Sequence, residues 1–178
     1  MDTRQFWQRV AAAREAAADP DDPDEVAGHV AELLATESAE TIVAADQALW
    51  TLMARSYTNP LWAAAYVIYG GCSDDGFDYF RGWLILQGRE VFERAVADPD
   101  ALADVPAVRA AAGALDTFDG EAALAIGSHA YTAATGRPLP SDAFTIDYPD
   151  LDRAWDFDFG DQAEMARRLP RLTALLTA

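Results

Sequence analysis

The stretch 70-GGCSDDGFDYFRGWLILQGREVFER-94 decides the fold, because apolar residues recur through it at helical spacing while charges and glycines interrupt them. Gly70 and Gly71 permit the positive-φ turn by which a chain leaves one helix and enters the next. Ser73 reads as an N-cap, and Asp74 and Asp75 stand where the positive end of a helix dipole favours carboxylates. Phe77, Phe80, Leu84, Val91 and Ala95 follow on one face, which predicts a helix packed inward along that face. Gly82 and Gly88 fall inside it, each costing about 1 kcal/mol relative to alanine in a helix interior. Close approach offsets such a cost: a neighbouring helix crosses there or a ligand meets the backbone, and crossing is the commoner. Asp74, Asp78 and Arg81 share a stripe and are placed to neutralise one another, while Glu90 and Arg94 read as an exposed i,i+4 pair.

Outward from this stretch the periodicity stays helical. Residues 2 to about 18 carry Phe6, Val10 and Ala13, with Asp2 or Thr3 as cap and a stop at Asp19-Pro20. Asp22-Pro23 opens a second helix with the stripe Val26, Val30, Leu33 and Leu34. Ser38 caps a third that runs to about Tyr57 and is apolar around much of its circumference. Asn59-Pro60 starts a short fourth, along which Trp62, Tyr66 and Tyr69 form an aromatic stripe leading into Gly70. Pro99 breaks the chain after the central helix, residues 105–115 are alanine-rich and weakly patterned, and a further helix begins near Asp119 and ends at Gly136. Residues 137–148 read as a long surface connection. In residues 148–161 carboxylates alternate with aromatics. A calcium loop counted from Asp156 fails at its twelfth position, Arg167, so a short strand or a docked extended arm remains, with Trp155, Phe157 and Phe159 on one face. Asp161 caps a last helix that Pro170 kinks or restarts. The fold expected is an all-α, compact multi-helix single domain over residues 1–178, with a short extended segment near the C-terminus.

The run 70-GGCSDDGFDYFRGWLILQGREVFERAVADPDAL-102, with Phe6-Trp7, Asn59-Pro60-Leu61-Trp62 and Arg168-Leu169-Pro170-Arg171-Leu172, resembles the pattern of the bacterial domain-of-unknown-function 4240 family. The likeness touches nearly the full chain. It implies membership of that family and brings no activity or catalytic residue with it.

The net charge of −17, with no lysine among the 13 basic residues, disfavours nucleic acid, whose phosphates require a basic surface. A basic protein or a cationic small molecule fits better, although surface acidity also serves solubility. The single cysteine, Cys72, excludes an intrachain disulfide and fits a reduced cytoplasm. No apolar run approaches the roughly 20 residues that span a bilayer, so no membrane association is expected. No glycine-rich phosphate fingerprint or nucleophile elbow occurs, His29 and His129 stand alone, and neither a cofactor nor a bound metal is expected.

Three functional readings follow. In the first, an acidic protein-binding or regulatory module captures a basic protein. In the second, a small-ligand or metal-dependent enzyme has its pocket at the central stretch, with Asp74 and Asp75 as general base or hard-metal ligands and Arg81 or Arg89 as anion clamp. Asp78 and Gln87 add polar groups there, and Trp62, Tyr66 and Trp83 form the walls. Adjacent carboxylates on a helix diverge by about 100°, which weakens Asp74 and Asp75 as a joint site. Cys72 as a nucleophile is opposed by its aspartate neighbours. In the third reading the same charges form a buried ion-pair network that fixes helix register.

Overall fold

The computed structural model describes residues 1–111 and 118–176, and among them every regular element is a helix and none a strand. The end of the alanine-rich stretch, 112–115, lies outside the described residues. The starts of the first four helices follow from local chemistry. Helix α1 (Thr3–Ala16) opens with a reciprocal capping box between Asp2 and Gln5. Helix α2 (Pro23–Ala35) opens with the Asp22 carboxylate on the amides of Asp24 and Glu25, and α3 (Ala39–Arg55) with the Ser38 hydroxyl on that of Thr41. In α4 (Asn59–Tyr69) the cap is Thr58, whose extended backbone lets its hydroxyl accept from Leu61, so Asn59 is the first helical residue and not the cap.

The central stretch is two helices, not one. Helix α5 (Asp74–Leu86) ends at Gln87, and Gly88, at φ +94°, turns the chain into α6 (Arg89–Ala97). Gly88 therefore supplies a backbone conformation that other residues rarely adopt, and the interior cost expected for it does not arise. Gly82 does lie inside α5, and a Cβ there would sit 2.4 Å from the Gly120 carbonyl oxygen. A Cβ on Gly120 would in turn sit 1.9 Å from the Trp83 nitrogen. Two backbones touch at this point, joined by the Gly120 amide donating to the Tyr79 carbonyl at 3.1 Å. Close approach of a crossing segment is thus what the interior glycine permits. The pair expected between Glu90 and Arg94 is replaced by Arg94 with Asp104.

Beyond α6 come a 3₁₀ turn (Pro99–Asp104), α7 (Pro106–Ala110), α8 (Glu121–Leu124) and α9 (Ile126–Thr135), which Gly136 ends at φ +69°. The helix expected from Asp119 to Gly136 is divided at Ala125. Helices α1, α2, α3 and α9 pack on one another, and α8 lies across α5. The shared core takes Phe6, Val10, Val30, Leu34, Leu49, Phe77, Phe80 and Leu84, all fully buried.

After Gly136 the chain runs without a helix to the short 3₁₀ turn Arg153–Trp155, then through α10 (Gln162–Arg168) and α11 (Pro170–Leu176). This strap lies on α3 and α4. Gln47 clasps it, accepting from the Thr145 amide at 2.9 Å and donating to the Thr145 carbonyl at 3.0 Å. Phe144 stacks on Trp50 at 4.6 Å, Tyr148 rests on Tyr57 at 4.5 Å, and Asn59 donates to the Asp152 carbonyl at 3.0 Å. Helix α11 is fixed by the buried Asp100 carboxylate, which accepts from the amides of Arg171 and Leu172. No helix of the described residues is long and apolar enough to cross a membrane.

Candidate functional site

The strap and α4 line an open cavity beside the central stretch, about 590 Å³ in volume. Its inner wall is Asn59, Trp62 and Tyr66 on α4 together with Cys72 in the turn that follows. The turn is held by the Trp62 indole, which donates to the Cys72 carbonyl at 3.3 Å, and by Ser73, which caps α5. Its outer wall is the segment 151–159, where Trp155, Phe157 and Phe159 are half-buried and alternate with the exposed Asp156 and Asp158. That alternation matches the docked extended arm read from the period of two, without strand pairing. Phe159 meets Tyr66 edge-on at 5.9 Å, and Phe157 meets Phe159 at 5.4 Å.

Of the nine residues that the sequence offered for a pocket at the central stretch, Trp62 and Tyr66 alone line this cavity. Asp74 and Asp75 are exposed in the first turn of α5. Trp83 is buried between Phe80 and Phe118, with ring centroids 5.4 and 4.7 Å away. Gln87 is buried at the end of α5, and Arg89 lies exposed on α6, 3.9 Å from Glu93. The nine residues are therefore dispersed over three helices and do not converge on one pocket. Among the described residues no group of three or more histidine, cysteine, aspartate or glutamate side chains gathers as a metal would require.

Arg81 is fully buried. Its guanidinium donates to the Met53 carbonyl and pairs with Asp78, whose carboxylate is half-exposed, while its Nε has no hydrogen-bond partner among the described residues. The rings of Phe77, Tyr57 and Tyr148 surround it at 4.9, 5.1 and 5.8 Å. Phe77 then stacks on Trp62 at 4.8 Å, so the buried cation supports the inner wall of the cavity through one intervening ring. Cys72 has its thiol pushed up to about 11 by burial and then by the Asp74 charge, which keeps it protonated at neutral pH and poorly nucleophilic.

Sequence reasoning missed the strap's contribution of Asp152, Arg153 and Asp156 to the cavity, and also Asp46, which is buried on α3. One oxygen of that carboxyl has no hydrogen-bond partner among the described residues, and a Cβ on Gly127 would come within 2.2 Å of the other. Burial lifts the Asp46 carboxyl to about 6. Its signal was present, since Ile42, Asp46, Leu49 and Met53 share one helical face.

The family model described as Protein of unknown function (DUF4240) matches residues 1–133. The chain belongs to this family. The DUF4240 match ends within α9, so the Arg168-to-Leu172 likeness lies beyond it. The inner wall of the cavity falls inside the DUF4240 region and the outer wall outside it. No curated protein and no solved structure matches the chain.

Proposed function

We propose that this DUF4240 protein is a binding module that captures a basic protein through its acidic surface. The observation that carries the reading is the strap between residues 147 and 161, where six exposed aspartates stand against one arginine. The alternating aromatics are turned to the body, so the carboxylates are held outward on a docked segment at little ordering cost on binding. The net charge of −17 adds long-range attraction, and it exceeds the magnitude of about 2 to 8 typical of solubility alone. Stopped-flow association with cytochrome c as a basic probe tests this. The rate is expected to fall steeply between low and moderate salt as the Debye length shrinks from about 30 Å to about 10 Å. Replacing Asp147, Asp150 and Asp161 by asparagine is expected to slow capture further. A rate indifferent to both salt and these substitutions would remove the reading.

A further inference from the structure

The cavity between α4 and the strap has the chemistry of a cation site. Its walls are aromatic, from Trp62 and Tyr66 on one side and Trp155 and Phe157 on the other, and Asp156 and Asp158 stand at its outer edge. Ring faces attract cations through their quadrupole, and carboxylates beside them add direct charge; neither group favours an anion. The volume of about 590 Å³ lies within the range of roughly 300 to 1,000 Å³ found for ligand sites. Asp158 is partly engaged, since one oxygen accepts from the Gly160 amide at 2.8 Å, and Asp152 likewise caps Ala154. Asp156 makes no side-chain hydrogen bond or ion pair among the described residues. Three carboxylates against Arg153, the one basic side chain in the lining, leave the site net negative.

The chain itself indicates which cation these rings accept. The Arg168 guanidinium lies over Trp155 at 4.7 Å and over Phe157 at 4.8 Å, so a planar guanidinium already packs on the same two side chains. Arginine stacks on aromatic faces more readily than the compact, strongly hydrated lysine ammonium. We propose that this cavity receives an arginine side chain of a partner protein, with Asp156 as its carboxylate contact and Tyr66 with Trp62 as its stacking surface. The proposal rests on the reading that the protein captures basic partners, and gives that reading a place and a residue.

The test is calorimetric titration of the full chain with an acetylated Gly-Ser-Arg-Ser-Gly amide, its lysine counterpart and its neutral citrulline counterpart. The arginine peptide is expected to bind at least about tenfold more tightly than the citrulline peptide, in line with loss of a charge-assisted contact, and more tightly than the lysine peptide. Asp156→Asn and Tyr66→Leu are expected to weaken the arginine peptide several-fold, and Arg153→Ala to tighten it by removing a like charge. Glu15→Gln and Glu40→Gln, exposed carboxylates outside the cavity, should leave it unchanged. Asp156 is exposed and unpaired, so its variant keeps the fold, which circular dichroism verifies. Equal affinity for arginine and citrulline peptides, no binding of any of them, or indifference to both cavity variants overturns the proposal. If that occurs while cytochrome c capture remains salt-dependent, the cavity assignment falls alone. Loss of the salt dependence as well removes the binding-module reading itself.

Discussion

Arg81 is the residue whose environment departs furthest from that of an ordinary arginine. Its charge is compensated by Asp78, the Met53 carbonyl and three rings, so Arg81→Ala strands an acceptor and opens a void. Breaking a buried pair costs roughly 3 to 5 kcal/mol, and the half-exposed Asp78 places this case near the lower end because water re-solvates it. Urea unfolding of the variant measures the loss, and a change below about 0.5 kcal/mol, the scale of exposed positions, would mean the guanidinium is solvated. Asp46 has the opposite character, a buried acid with no cation partner among the described residues. Its folded carboxyl holds a proton up to about 6, whereas the unfolded one releases it near 3.8. Between those values the folded state binds more protons, so stability falls as pH rises from about 4 to about 6, by on the order of 3 kcal/mol. Asp46→Asn should flatten that part of the stability curve measured by denaturation at stepped pH; an unchanged slope would show that Asp46 is already ionised in the fold.

Among elements, the contact between α5 and the entry to α8 tolerates least. Both partners are backbone, so neither can rotate away from an added methyl group. Gly120→Ala, with its Cβ 1.9 Å from the Trp83 nitrogen, is expected to destabilise by at least the roughly 1 to 3 kcal/mol of an overpacked core, and more than Gly76→Ala, where the nearest atom is a serine hydroxyl at 3.3 Å. Comparing thermal midpoints of the two variants checks this, and equal midpoints would contradict the contact. The same comparison explains what was legible beforehand. Ser73, Asp22 and Gly136 announce helix ends because capping depends on atoms within a few residues. Gly82 and Gly88 look alike in the chain, yet one is needed for a missing Cβ and the other for a positive φ, and no local pattern separates those needs. The alternation of Trp155, Phe157 and Phe159 reveals a face but not the surface that receives it, so the sequence offered the arm without α4 as its seat. Trp62 and Tyr66 were legible as neighbours of the central stretch because their stripe runs into the Gly70 turn, while the opposite wall of the cavity they line is about 90 residues away in the chain.

For the molecule as a whole, the proposed capture of a basic partner ties binding to pH through net charge. With a pI near 4.2, the surface loses its net negative charge as the medium approaches that value. Capture of cytochrome c should therefore weaken progressively from pH 7 toward about 4.2, while the helical circular dichroism signal changes less, since protonation of Asp46 favours the fold over the same interval. Capture that persists unweakened near the pI would assign recognition to uncharged contacts. The strap supplies one wall of the cavity and lies beyond the region matched by the family.

The clasp between Gln47 and Thr145 gives that strap an exchange signature of its own. A carboxamide both accepts from and donates to one residue's backbone, a role that a second strand would fill in a sheet, and neighbouring exposed positions such as Ile146 and Asp147 show no amide acceptor among the described residues. In hydrogen–deuterium exchange, Thr145 should then stand out as a slow amide in a fast-exchanging surround. Its rate reports detachment of the strap from α3 separately from global unfolding, since breaking one side-chain clasp releases no neighbouring ladder. Gln47→Glu, which keeps the acceptor but loses the donor, would shift that single rate and leave the core amides where they were.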